Sequence, residues 1–316
     1  MLVVTGWDFI RPYKKKGVGP VNDMKAGLLI VDKPEGMSSF DVVRKTRRLA
    51  NMRKVGHTGT LDPDATGVLP VALGRCTKLS KFVAFDEKKY AFTMCLGVAT
   101  DSADASGDVI QRAPYDEIRR EDVESALAAF RGEIQQVPPV YSAIKVDGER
   151  AYALARSGKD VKLEARTVEI YDMELTEWNP PQVSFIVRCG PGTYVRSLAR
   201  DIAIAVGTVG HAERIRRLAV GPFTIEQAVS FDELRRENFW SLVSSPLEMV
   251  QSLSRVCIGE EQRERIQHGR PITAEGDWEV EEAVAGHDSD NRLVAVMECT
   301  KREKGRAQLW PRRVMI

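Results

Sequence analysis

The sequence predicts a chain that mixes helices with strands over most of its length and closes on a smaller β-rich part. Three observations carry this. At 316 residues the chain exceeds one typical domain. Apolar residues recur at helical spacing over 42–50 and 193–206, and at alternating positions over 183–187. Near residues 244–254 the composition changes, and short β-like runs at 279–285, 293–297 and 308–316 follow, joined by charged turns.

Element by element, residues 1–24 read as an extension with little structure, and 28–31 as a short strand. Pro34, Glu35 and Gly36 supply a turn, after which Ser38 or Ser39 caps a helix. In that helix Val42, Val43, Leu49 and Ala50 share one face and the arginines take another. Residues 56–67, GHTGTLDPDATG, are dense in Gly, Thr and Asp and read as a loop. Strands are expected at 68–73 and 91–96, and a helix over 120–130 that ends near Gly132. A half-buried strand at 183–187 and a helix over 193–206, stopped by Gly207, complete the larger part.

The composition, 43% hydrophobic and 29% charged, is that of a globular protein with ordinary cores. Lys and Arg number 46 against 45 Asp and Glu, a net charge of +1, which excludes a globally basic nucleic-acid coat but not a local basic face. Two basic runs stand out: Arg44, Lys45, Arg47, Arg48, Arg53 and Lys54, then Arg214, Arg216 and Arg217. Taken singly, each such run is also what a solvated helix face looks like. The five cysteines form no CxxC pair and the four histidines no HExxH, so neither a zinc site nor a disulfide framework is expected. No apolar stretch of roughly 18 residues is present to span a bilayer. Residues 1–22 lack the apolar core of a signal peptide, and the reading is cytoplasmic.

The chemistry concentrates in residues 54–69, KVGHTGTLDPDATGVL. Gly56, Gly59 and Gly67 let backbone approach a ligand and adopt positive φ where needed. Asp62, between Leu61 and Pro63, projects from a stiffened position. On composition alone the segment is equally an ordinary turn with polar caps. Asp62, Asp64 and Thr66 also fit DxDxT, the pattern of aspartyl-phosphate phosphatases of the haloacid dehalogenase type. That chemistry needs a buried hydrophobic strand before the first Asp, and His57, Thr58, Gly59, Thr60 and Leu61 do not make one.

Residues 56–69 resemble the signature loop of the TruB-type pseudouridine synthases, which modify the T loop of tRNA. Further resemblances follow in order: Lys88, Lys89 and Tyr90 with Leu96, Gly97 and TDSAD at 100–104; VPPVYSAIKVDGERAY at 137–152; GTYVRSL at 192–198; and RRLAV at 216–220. Together they cover roughly residues 27–222. The resemblance implies an α+β catalytic domain on a mixed, largely antiparallel sheet over 25–251, and a small C-terminal β-barrel, PUA-like, over 252–316. It implies isomerisation of the T-loop uridine at position 55 of tRNA, by base flipping and aspartate-dependent cleavage and re-formation of the glycosidic bond.

By position in the motifs, the resemblance makes Asp62 the catalytic carboxylate. Arg196 is similar to the arginine that pairs with that aspartate, a task its planar fork suits. Tyr90 is expected against the uracil ring, Leu218 in the apolar floor under the base, and His57 in holding the flipped-out nucleotide. As plain residues, Arg196 is otherwise a surface arginine, Tyr90 a core tyrosine, and His57 a structural histidine. Arg44, Arg47 and Arg48 are candidate phosphate contacts, and Lys301, Arg302, Lys304, Arg306, Arg312 and Arg313 a positive surface on the tail. Acidic 275–290 is expected to face away from RNA. No cofactor, metal or guide RNA is expected, and the protein is read as a monomer. A catalytically idle tRNA-binding module and a guide-RNA-dependent synthase are the rival readings.

Overall fold

The computed structural model describes residues 26–83, 87–142, 144–146, 148–151, 154, 161, 163–303 and 305–316, apart from the side chains of Lys145 and Arg150. The extension expected over 1–24, part of the 137–152 motif and Lys304 lie outside the described residues.

In chain order the elements are β1 (Gly27–Lys33), α1 (Ser39–Ala50), β2 (Val55–His57), β3 (Thr66–Leu73), β4 (Lys88–Leu96), β5 (Val98–Thr100), β6 (Val109–Arg112), α2 (Arg120–Ala126) and β7 (Gly132–Gln136). There follow β8 (Lys145–Val146), β9 (Glu149–Arg150), β10 (Arg166–Asn179), β11 (Gln182–Cys189), α3 (Val195–Ala205), β12 (Gly210–Val220), β13 (Phe223–Thr224) and β14 (Val229–Ser230). The chain ends with α4 (Phe239–Leu242), α5 (Pro246–Met249), β15 (Ser254–Cys257), α6 (Glu260–Gln267), β16 (Ile272–Glu275), β17 (Ala283–His287), β18 (Leu293–Glu303) and β19 (Arg306–Val314).

The chain falls into two compact units. The first runs up to Asp62, resumes over Val68–Phe85 and takes in Pro222–Ile316; the second is Pro63–Gly67 with Asp86–Gly221. In the first, β1 pairs parallel with β14, and β2 antiparallel with the end of β3. α1 packs its apolar face here: Val42, Val43 and Ala50 join Leu29, Val31, Val55, Leu69 and Val71 in one core. Ser38 caps the helix, with Asp41 returning a bond to the Ser38 N–H.

The same unit holds a separate core under the last strands, built from Ile258, Ile266, Ile272, Trp278, Val284, Val294, Met297 and Leu309. There β15, β17, β18, β19 and β16 form a five-stranded sheet in that order, curled into a half-barrel. Residues 279–282, read as strand from sequence, precede β17, and Glu281 takes a positive φ there. Helix α6 was missed because it is strongly charged and buries only Ile266.

In the second unit β12, β4, β11, β10 and β7 lie side by side, all antiparallel. Thr66 and Gly67 add to β12 in parallel, so the sheet is mixed and largely antiparallel. Gly67 has φ +103°, and a Cβ there would run into the backbone of Arg217. β11 alternates half-buried and buried residues along most of its length, as its sequence predicts. α3 packs on β12 and β4 and ends at Gly207, which has positive φ. Cys76 and Cys189 serve as buried apolar groups; burial pushes their thiols up to about 12 and about 11.

Candidate active site

The expected loop over 56–67 is shorter than its composition suggests. Gly56 and His57 belong to β2, opposite Ala72 and Val71, and Thr66 and Gly67 to β3, leaving 58–65 irregular. The ladder to β3 overrides the poor strand propensity of Gly, Thr and Asp. The Thr58 N–H still reaches the Pro70 carbonyl at 3.1 Å, and beyond it the chain leaves the sheet. Leu61 is buried as an apolar anchor. Ser39, only 2% exposed, accepts from the Leu61 N–H at 2.8 Å and donates to the Leu61 carbonyl at 3.0 Å. Asp62 follows half-buried, and Pro63 and Asp64 are exposed. A carboxylate thus leaves a fixed backbone while keeping some access to solvent.

One buried lysine before α1 does not stand out in the sequence. Lys33 at the end of β1 is fully buried, and its Nζ donates to the carbonyls of Pro34 (2.8 Å) and Met37 (2.6 Å). It stitches together the turn, with Gly36 at φ +74°, that delivers the chain to Ser38 and α1. Without an ammonium there, two carbonyls of an enclosed turn lose a donor. The signal available was only a lysine at the end of an apolar strand.

Arg196 sits in the second helical position of α3, after the cap residue Tyr194 and Val195. It is 4% exposed, so it is not a surface arginine. Its Nη1 donates to the Ser102 carbonyl (3.0 Å) and to Asp104 Oδ2 (3.1 Å), and its Nη2 to the Tyr141 carbonyl (2.9 Å). Asp104 is itself held: Oδ1 accepts from Ser102 Oγ (2.6 Å), Ser106 Oγ (2.7 Å) and the Ser106 N–H (3.1 Å). Tyr141 is tied through its hydroxyl to Asp101 Oδ2 at 3.0 Å. The segments TDSAD and VPPVY, picked out as motifs, are therefore the walls around the guanidinium. Asp104, inside the TDSAD segment, is the carboxylate that holds Arg196, a pairing the sequence alone does not announce.

The start of α3 is fixed from β7. Tyr194 has no side-chain cap of its own. Gln136, fully buried, accepts from the Tyr194 N–H at 2.8 Å and donates to its carbonyl at 3.1 Å. Ser197 Oγ donates to the Val137 carbonyl at 2.8 Å.

Tyr90 is buried on β4, opposite Val187 of β11 and Arg217 of β12. The next pair along β12 is Ala219 with Lys89, which leaves Leu218 as the unopposed residue of a bulge, half-buried. The structure so brings Tyr90 and Leu218 onto neighbouring strands. His57 is half-buried at the end of β2, five residues before Asp62.

The basic run on α1 is partly committed to the fold. Lys45 Nζ donates to the Phe231 carbonyl (2.7 Å) and lies 3.8 Å from the centre of that ring. Desolvation, with Arg235 nearby, lowers its pKa. Arg47 donates to the Val55 carbonyl at 3.1 Å, and Arg44 pairs with Asp41. Arg44 and Arg48 are exposed. On the tail, the acidic segment expected to face away lies beside the basic one: Arg302 pairs with Asp277 and Glu279, and Arg306 with Glu275. Arg312 pairs with Glu298 and Lys301 with Glu303. Among the described residues no group of three or more His, Cys, Asp or Glu is placed to hold a metal ion. No helix among them is long and apolar enough to cross a membrane.

Residues 47–195 match the model of the TruB family pseudouridylate synthase N-terminal domain. The tRNA pseudouridine synthase B of Thermobifida fusca (strain YX) is 42% identical over 261 residues, covering 80% of this chain and 88% of the relative. That of Arthrobacter sp. (strain FB24) is 41% identical over 290 residues, 87% and 93% of the two chains. Of solved structures, "Crystal Structure of a Cbf5-Nop10-Gar1 Complex" aligns with TM-score 0.70 and 25% identity over 96% of this chain and 91% of that one. "Structure of H/ACA RNP bound to a substrate RNA containing 2'-deoxyuridine" aligns with TM-score 0.70 and 23% identity, over 98% and 92%, which shows the fold alone.

Proposed function

The chain belongs to the TruB family of pseudouridine synthases and is an isomerase, and from that premise we propose that it converts the T-loop uridine of tRNA, position 55, to pseudouridine. The observation that carries the reading is Asp62, a half-buried carboxylate on an anchored backbone in the family's signature loop. The reaction breaks the glycosidic bond, turns the uracil and rejoins it through carbon. Atoms and electrons of the uridine are conserved, so the balance needs no cofactor.

In this reading the enzyme extrudes the stacked uridine, and Asp62 acts at the ribose–base junction. Arg196 keeps that carboxylate ionised where burial favours its protonation. The fixing of Arg196 by Asp104, Ser102 and Tyr141 supports the role, since a guanidinium held in one geometry does not have to be ordered during the reaction. Tyr90 lies against the base, Leu218 beneath it, and His57 holds the flipped state. Residues 25–251 form the catalytic domain and 252–316 a PUA-like RNA-binding domain, with exposed Arg44 and Arg48 toward phosphates. The protein acts in the cytoplasm as a monomer without guide RNA. The relatives named for tRNA at 41–42% identity, against 25% for the Cbf5 structure, favour the guide-free form.

The test is to incubate the pure protein with an unmodified tRNA transcript, without metal or guide RNA, and to map pseudouridine. One modified uridine at position 55 is the expected product. Modification elsewhere, or only after a guide RNA is added, overturns the reading.

A further inference from the structure

We propose that Ser39 is a positioning residue for the reaction, setting the backbone from which Asp62 projects; this rests on the reading of Asp62 as the catalytic carboxylate. Residues 58–65 lie outside the strands, so the chain enters Asp62 beyond the end of the β2 ladder. The Ser39 hydroxyl takes the place of a strand partner. It engages both backbone groups of Leu61, the N–H at 2.8 Å and the carbonyl at 3.0 Å, across 22 residues of sequence.

Two features make the hydroxyl available. Ser38, not Ser39, caps α1, through Asp41, so the hydroxyl of Ser39 is spared for the loop. The helix that carries Ser39 is anchored in turn by Val42, Val43 and Ala50 in the core. Leu61 is buried on the other side of the contact, so neither partner trades these bonds freely for water. Serine is the small side chain that donates and accepts from one atom. Alanine removes both bonds, and cysteine keeps the shape with a weak donor and a weak acceptor.

The test uses the full chain and a tRNA transcript. Four variants are compared with wild type: Ser39→Ala, Ser39→Cys, Ser38→Ala and Asp62→Asn. Single-turnover rate, tRNA affinity and Tm are read for each. Displacing a reacting group by a fraction of an ångström costs on the order of 10- to 100-fold in rate. Ser39→Ala and Ser39→Cys are expected to lose that much, with affinity within about threefold of wild type. Ser38→Ala weakens the helix cap without touching Leu61, and is expected to lower Tm while the rate stays near wild type.

A wild-type rate in both Ser39 variants overturns the proposal. So does a fall in rate that follows Tm equally in the Ser38 and Ser39 variants, because that is a stability effect alone. Where Ser39→Ala fails to fold, Ser39→Cys decides. Asp62→Asn separates the two levels of argument: retained turnover there removes the reading of Asp62 itself, whereas its loss beside a fully active Ser39→Ala removes only the proposal.

Discussion

Asp62 stands half-buried on eight irregular residues, whereas Arg196 is 4% exposed near the start of an eleven-residue helix. In the carboxylate segment Ser39 engages the backbone of the neighbouring Leu61. The arginine is gripped directly, by Asp104 and two carbonyls. The helix gives Arg196 no electrostatic help, since a cation in the first turn meets the positive end of the macrodipole. Its cage supplies what the helix does not. On the proposed roles, the acting carboxylate keeps access on an anchored backbone, while the arginine that would tune its charge is buried in a cage.

The sharpest way to break this comparison is to remove the group assigned to act. Asp62→Asn keeps the size and deletes the anion, and turnover is expected to fall by more than about 10⁴-fold. Affinity for tRNA should stay within a few fold. Substantial pseudouridine formation by a clean preparation would mean that another residue carries the chemistry.

The second contrast concerns the grip on the arginine. Asp104→Ala removes a carboxylate from a buried ion pair and is expected to cost about 3 kcal/mol of stability. Asp62→Asn, in a more open place, is expected to change stability by no more than about 0.5 kcal/mol. Urea unfolding of both variants checks the pair, and equal midpoints would show that burial does not separate the two residues.

What the sequence made legible follows the same division. Asp62 stood out because the resemblance that singles it out rests on one local run, residues 56–69; composition alone left that run an ordinary turn. The capped helix after Ser38 and the alternation in β11 were readable for the same reason. The partners of Arg196 lie 94, 92 and 55 residues away, and no local pattern announces which carbonyl will face a guanidinium. Gln136 escaped for that reason as well, since Tyr194 lies 58 residues away, whereas Lys33 bonds within its own turn and gave only the faint signal of a lysine closing an apolar strand. Nor does the composition of the tail show which charges meet there: Glu279 and Glu275 of the acidic segment pair with Arg302 and Arg306 of the basic one.

A third expectation bears on the fork itself. Arg196→Lys keeps the charge but loses the geometry that reaches Ser102, Asp104 and Tyr141 together. The rate is expected to drop about 100-fold, roughly 2.7 kcal/mol of transition-state stabilisation. Circular dichroism should report a folded protein. Near-normal turnover with lysine would show that only the charge matters at this position.

The smallest expected effect is at the far end of the arginine's support. Gln136 holds the backbone of Tyr194 as Ser39 holds that of Leu61, with one acceptor and one donor. The two clamps differ in what lies beyond them. The Tyr194 carbonyl also accepts from the Leu198 N–H at 3.1 Å, within α3. Arg196 keeps its own three bonds whatever happens at Gln136. Gln136→Leu fills a similar volume with apolar atoms and leaves the Tyr194 N–H without its acceptor, so about 1–2 kcal/mol of stability should be lost. The rate, measured well below the lowered Tm, should fall less than about threefold, because the cage still sets the guanidinium. Ser39→Ala, which leaves the buried Leu61 N–H and carbonyl without these partners, is expected to lose a comparable amount of stability but far more in rate. If Gln136→Leu slows turnover as much as Arg196→Lys does, the arginine is placed by the start of its helix and not by its cage, and the contrast between the two regions collapses.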